Sequence, residues 1–145
     1  MTKNVKVRVQ GTQYLEGNKS EKDVTVTESP GTYYLRDGAH FILYDEEADS
    51  GVIVKNMVRF NDATFEITKK GPITSKLVFE PGKKNISDYK TPYGNFLIGV
   101  NTQFLQHSVT EEKISISIAY TMEMDGAPVA RNLIDITVKP DGGKA

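Results

Sequence analysis

The chain has 145 residues, 38% hydrophobic and 26% charged, which fits one globular domain with a sizeable core. A net charge of −1 and a pI near 6.1 argue against the basic face that nucleic acid recruits and against the polybasic segment that anchors to anionic lipid. Cysteine is absent, which excludes disulfides, thiolate nucleophiles and cysteine metal sites and fits a reducing compartment.

Met1-Thr2-Lys3-Asn4 runs straight into the alternating Val5, Val7 and Val9. No apolar leader core and no run of 18 apolar residues is present, so the expectation is a cytoplasmic protein with no membrane partner. A first strand over 5–15 leads to a polar loop, Gly17-Asn18-Lys19-Ser20, and a second strand holds Val24 and Val26. Pro30-Gly31 reads as a break. A hairpin over 32–36 and 39–46 then turns at Asp37-Gly38, a pair that favours the positive φ angles matching strand twist.

The acidic loop over 45–51 leads to a strand that alternates Val52, Val54, Asn56, Val58 and Phe60. Asn61-Asp62 turns into a strand with Phe65 and Ile67, and Gly71-Pro72 precedes one with Ile73, Leu77 and Phe79. Glu80-Pro81-Gly82-Lys83 fits a type II turn, with proline second and glycine third. A strand over 86–91 ends in Thr91-Pro92-Tyr93-Gly94, and the next alternates Phe96, Ile98, Val100, Thr102 and Phe104.

The clearest pattern is the closing hairpin over 113–138. Ile114, Ile116, Ile118, Tyr120, Met122 and Met124 share one parity, Asp125-Gly126 turns the chain, and Ile134, Ile136 and Val138 return in phase. Side chains of a strand alternate between faces, so this hairpin has one apolar and one polar face. The residues after 139 are expected to form a flexible tail. Turn signals recur about every 8–12 residues, and no three-turn amphipathic helix interrupts them.

These elements define an all-β chain, and about eight to ten antiparallel strands with short turns form a meander. An open sheet of that size leaves two adhesive edges, whereas closure removes them. The expected architecture is a single closed β-barrel domain over 1–145, with an ordered core from about 4 to 139. A sandwich is the alternative, and the test between them is whether the first strand bonds to the strand over 133–138.

A family resemblance rests on motifs spread along the chain. They are Tyr44-x-Glu46, Lys70-Gly71, Leu77-x-Phe79-Glu80, Tyr89-x-Thr91-Pro92-Tyr93-Gly94, Gly99-Val100-x-Thr102, Asp125-Gly126 and Asn132-x-Ile134-x-Ile136. In these the chain resembles the YwiB-like family of small bacterial β-barrel proteins, a domain of unknown function (DUF1934). The resemblance implies a calycin-like, lipocalin-related barrel. It implies no reaction, cofactor or catalytic residue, and a fold does not itself transmit a function.

The acidic loop fails the calcium-loop template, since Ser50 and Asn56 occupy the positions that require Gly and Glu. His40 and His107, the two histidines, have no sequence neighbour suited to zinc or to nucleophilic chemistry, and Ser29 and Ser108 lack a nucleophile context. Glu66, Glu123 and Asp135 fall on the solvent parity, where carboxyls make poor general acids. Arg59 and Arg131 are placed outside, each expected to pair with a carboxylate of the next strand. The asparagines at 18 and 85 match the glycosylation pattern, which has no consequence without secretion. The chain reads as a non-enzyme with no metal or cofactor.

The informative polar residues share the apolar phase. Asn56, Thr102, Tyr120 and Asn132 are in line with buried-type neighbours on their strands. Each must find a hydrogen bond inside, since an unpaired buried amide costs about 1–3 kcal/mol. They orient a small, mostly apolar ligand inside the barrel, or they satisfy one another. Tyr89 and Tyr93 flank a turn at the expected rim and suit a ligand mouth or a protein interface. The expected walls are Val58, Val100, Phe104, Ile114, Ile116 and Ile118. A solid-core interaction module is the alternative. It would act through its surface or as a homodimer, using outer apolar residues such as Tyr14, Ile53, Leu97 and Leu105.

Overall fold

The computed structural model describes residues 2–15, 22–47 and 51–141. The loop over 17–20 with its glycosylation pattern, the end of the acidic loop and the last four residues lie outside the described residues. Ten strands follow in order: β1 (Thr2–Leu15), β2 (Lys22–Arg36), β3 (Ala39–Glu47), β4 (Ile53–Phe60), β5 (Phe65–Lys70), β6 (Thr74–Phe79), β7 (Lys84–Thr91), β8 (Gly94–Val109), β9 (Ile114–Met124) and β10 (Ala127–Pro140). Every strand is antiparallel to its sequence neighbour, and β1 also pairs with β10. Val7 faces Val138, Val9 faces Ile136 and Gly11 faces Ile134, so the sheet closes into a barrel rather than splitting into two layers. No helix among the described residues is long and apolar enough to cross a membrane.

Turn chemistry sets the hairpins. Asp37 and Gly38 have φ of 52° and 79°, and Asp125 and Gly126 have 51° and 88°. Two successive positive φ angles give the turn whose twist matches the strands it joins. The Pro81-Gly82 turn closes with Lys83 N–H donating to Glu80 O at 3.0 Å, and Gly82 has φ 75°. At the β4–β5 turn, Asn61 Oδ1 accepts from the backbone N–H of Ala63 and Thr64, at 2.8 and 3.0 Å.

The inward phase of the strands fills the middle of the barrel. Ile42, Val58, Phe60, Phe65, Phe79, Ile98, Val100, Ile116, Ile118 and Ile136 are all fully buried in one cluster. Of the expected ligand walls, Val58, Val100, Ile114, Ile116 and Ile118 therefore belong to a packed core.

Phe104 stands outside, 46% exposed. Thr102 faces Tyr120 but Phe104 faces Ala119, so Gln103 is the extra residue of a β-bulge. A bulge inserts one residue and reverses the phase of the strand beyond it. Leu105, expected outside, therefore faces Ile118 and packs on the core, and His107 faces Ile116.

Pro30-Gly31 does not break the chain, and β2 runs through it without interruption. Pairing with β3 begins only at Gly31, so Pro30 sits where one side of β2 has no β3 partner and a missing N–H is tolerated. Gly31 lies between Val5 of β1 and Tyr44 of β3. A Cβ there would stand 2.6 Å from the carbonyl oxygen of Leu43. Val24 and Val26 are exposed, and the inward line of this strand is instead Thr25, Thr27 and Ser29.

Outside, Arg59 pairs with Glu66 at 3.6 Å, as expected, while Arg131 stacks over Tyr14 at 5.0 Å and meets no carboxylate among the described residues. Leu97 and Ile53 are exposed.

Gly31→Ala is expected to cost about 1–3 kcal/mol, because the backbone carbonyl of Leu43 cannot withdraw. Gly11→Ala, whose Cβ would meet only Thr25 Oγ1 at 3.4 Å, is expected to cost clearly less. Urea midpoints of the two variants check this.

Candidate functional site: the polar mouth

The barrel is apolar in its middle and differs at its two ends. Where β1, β3, β5, β7 and β9 end, the inward phase turns polar. Two register rows carry the change. Across β8, β9, β10, β1 and β2 run Thr102, Tyr120, Asn132, Gln13 and Asp23, each the cross-strand partner of the next. Across β3 to β7 run Tyr44, Asn56, Lys69, Ser75 and Tyr89. Directly opposed residues have neighbouring Cβ atoms, so the rows form a belt to which all ten strands contribute.

A cavity of about 550 Å³ opens within this belt. Tyr44, Glu46 and Lys69 line it on one side and Gln13, Tyr120 and Asn132 on the other. Val9, Ile67, Leu77, Ile134 and Ile136 provide its apolar surface. The volume is in the range of small-molecule sites.

The polar groups form two small networks. Lys69 Nζ donates to Glu46 Oε1 at 2.9 Å, and Asn56 Nδ2 donates to the same oxygen at 3.0 Å. Gln13 Nε2 donates to Asn132 Oδ1 at 3.1 Å. Tyr120 sits edge-on to Phe79, with ring centroids 4.9 Å apart. Four buried atoms have no partner among the described residues: Asn56 Oδ1, Asn85 Nδ2, Thr102 Oγ1 and Asn132 Nδ2.

Electrostatics follows from this placement. Burial pushes the Glu46 carboxyl up, but the bond and charge of Lys69 together with the Asn56 amide outweigh it, and the group is held below its ordinary range. Burial pushes the Tyr120 hydroxyl up to about 12. Burial and the nearby Glu46 raise the Tyr44 hydroxyl as well.

The expected site residues do not all reach the cavity. Tyr120 and Asn132 line the cavity. Asn56 is buried beside it and ties down Glu46. Thr102 is buried next to Tyr120, and its backbone bonds to the Pro81-Gly82 turn through Gly82 N–H and Lys83 O. Tyr89 is half-buried against the core on the second row. Tyr93 is 95% exposed and stands in solvent. The Thr91 hydroxyl donates to Gly94 O at 2.9 Å and accepts from Tyr93 N–H at 3.1 Å, so this segment is built as a turn.

Sequence patterning did not single out Glu46 and Lys69. Their signal was parity: Glu46 is in phase with Ile42 and Tyr44, and Lys69 with Phe65 and Ile67. An ion pair whose members lie 23 residues apart is visible only once β3 and β5 are both placed on β4.

The other candidates do not converge. Glu66 and Glu123 are held outside by Lys76 and Lys84, at 3.6 and 2.6 Å. The two histidines come near each other at the opposite mouth, each against the ring of Phe60, His40 stacked on it and His107 edge-on. His40 Nδ1 lies 2.7 Å from the Tyr33 hydroxyl, and burial, then His107, lower its pKa against the opposing pull of Asp62. Among the described residues no three His, Asp or Glu side chains are grouped to hold a metal ion.

A closed ten-strand antiparallel barrel with a packed middle and one polar mouth defines a small β-barrel protein. The chain belongs to the family described as "Domain of unknown function (DUF1934)", whose pattern matches residues 7–136. It is 28% identical over 128 residues to "Uncharacterized beta-barrel protein YwiB" of Bacillus subtilis (strain 168), covering 88% of this chain and 86% of that protein. The crystal structure of the ywiB protein from Bacillus subtilis superposes with a TM-score of 0.83 at 25% identity, over 97% of this chain and 94% of the other.

The charges of the belt set its response to pH. A carboxyl held below its unfolded pKa stabilises the fold above that pKa, and the contribution is lost as pH falls through the folded value. Glu46→Gln is therefore expected to be less stable than the wild type at pH 7 and to approach it as the pH falls from about 4 through the folded value. Urea denaturation across that window reads the difference. Tyrosines with raised pKa stabilise the fold below about pH 10 and cease to do so as pH rises through the folded value. Ultraviolet titration of the native protein at pH 11 is expected to leave Tyr44 and Tyr120 protonated, and Tyr120→Phe to remove one late-titrating group.

Proposed function

We propose that this protein is a non-enzymatic binder of a small molecule, apolar over most of its length and polar at one end, held in the polar mouth. The observation that carries this reading is the 550 Å³ cavity with its apolar lining and its inward Tyr44, Tyr120 and Asn132. Pockets of this kind use a few fixed polar groups for orientation and apolar area for affinity. Asn132 Nδ2, without a protein partner among the described residues, supplies a donor for the polar end. Because the middle of the barrel is packed, the ligand sits at the mouth and Val9, Ile67, Leu77, Ile134 and Ile136 take the place of the deeper walls. The meander supports the calycin-like reading, and the absence of cysteine supports a cytoplasmic location.

Titration with an apolar fluorophore tests the proposal. One saturable site is expected, weakened about tenfold or more by Thr25→Trp, which places a large side chain in the mouth from an exposed position. If no saturable site appears, the packed interior together with exposed Ile86 and Leu97 favours the second reading, a solid module that meets a partner or a second copy through its surface.

A further inference from the structure

The opposite mouth, where β2, β4, β6, β8 and β10 end, holds a second cavity of about 440 Å³. Its floor is the end of the core, Val5, Ile114 and Val138. Above that floor the inward phase continues in Leu35 and Val109, and both remain exposed, at 47% and 40%. Large apolar side chains left open over a core, in a concave setting, mark a binding surface more than a solvated face.

Charge distinguishes this cavity from the polar mouth. Lys3 precedes Val5 and Val7 in the inward phase and pairs across the sheet with Tyr33, which also lines the cavity. Lys113 and Lys139 line it too, against a single acid, Glu111. At the polar mouth the inward Lys69 is neutralised by Glu46 at 2.9 Å. Lys3, Lys113 and Lys139 are in no ion pair among the described residues. The cavity thus joins an apolar floor to an uncompensated cationic rim.

We propose that this mouth is a second binding site, and that it takes a single-chain anionic amphiphile with a carboxylate head. The alkyl chain lies over Val5, Ile114 and Val138 between Leu35 and Val109. The head group accepts hydrogen bonds from the ammonium groups of Lys3 and Lys113, which long stems carry to the rim. The site is independent of the polar mouth and shares no lining residue with it.

Titrating the full chain with sodium dodecanoate below its aggregation threshold, followed by amide NMR shifts, tests the assignment. The expected result is one saturable site with shifts at residues 3–5, 109–114 and 138–140 and none at Glu46, Lys69 or Tyr120. The double variant Lys3→Gln, Lys113→Gln is expected to bind about tenfold more weakly, since each lost partner was a charged hydrogen-bond donor. Neutral 1-dodecanol is expected to bind more weakly than dodecanoate, and added salt to weaken dodecanoate alone. Absence of saturation overturns the proposal. So does saturation with shifts confined to the polar mouth, which would instead support small-molecule binding there. Equal affinity of the double variant and the wild type also overturns it, as does binding to vesicles of anionic phospholipid without binding of dodecanoate.

Discussion

Closure of β1 on β10 is the constraint on which the rest depends. While the sheet is open, inward and outward are only two faces of a ribbon, and neither is protected from water. Pairing Val7 with Val138 and Val9 with Ile136 makes one face the inside of a cylinder, and every residue in phase with those valines is committed to it. The central layers then hold Phe60, Phe65, Phe79 and branched aliphatics, all buried. A barrel of this width is filled by side chains or holds one ligand. Here buried side chains occupy the middle, and a cavity opens at each end.

The same commitment explains the polar belt. Once in phase, Asn56, Thr102, Tyr120, Asn132 and Lys69 cannot turn outward without a bulge, so each must find partners inside. Glu46 meets this requirement for Lys69 and Asn56 through a single oxygen. Low dielectric strengthens such contacts and raises the cost of leaving one unmade. Of the four buried atoms without partners among the described residues, three, Asn56 Oδ1, Thr102 Oγ1 and Asn132 Nδ2, lie on the belt, and the fourth, Asn85 Nδ2, belongs to a residue paired with Val100. The mouth is therefore the least internally satisfied part of the interior, and for that reason the part best suited to an outside molecule.

The two mouths carry opposite arrangements of the same elements. One has an inward lysine matched by an inward carboxylate among tyrosines and amides. The other has an inward lysine over bare apolar residues, beside an aromatic layer in which His40 and His107 both pack on Phe60. Because the strands run antiparallel, each mouth receives the starts of half of them and the ends of the other half. Groups far apart in the chain, such as Lys3, Glu111 and Lys139, thus come to line one opening.

Period-two alternation and turn chemistry act over a few residues, so they are legible without a fold. Ile114 to Tyr120 paired against Asn132 to Val138, and the Asp-Gly turns at 37–38 and 125–126, are local facts of the chain. From them came the all-β class, the meander, the closure, and the inward placement of Asn56, Thr102, Tyr120 and Asn132. Features that the sequence could not decide depend on neighbours supplied by other strands. The bulge at Gln103 that sends Phe104 outside and His107 inside is one case. Others are the continuity of β2 through Pro30-Gly31, the exposure of Tyr93 and the Glu46–Lys69 pair. Register is a relation between strands, and only tertiary structure sets which side chain stands opposite which. The filling of the middle was likewise invisible in one dimension, because packing density is a property of the closed cross-section and not of any single strand.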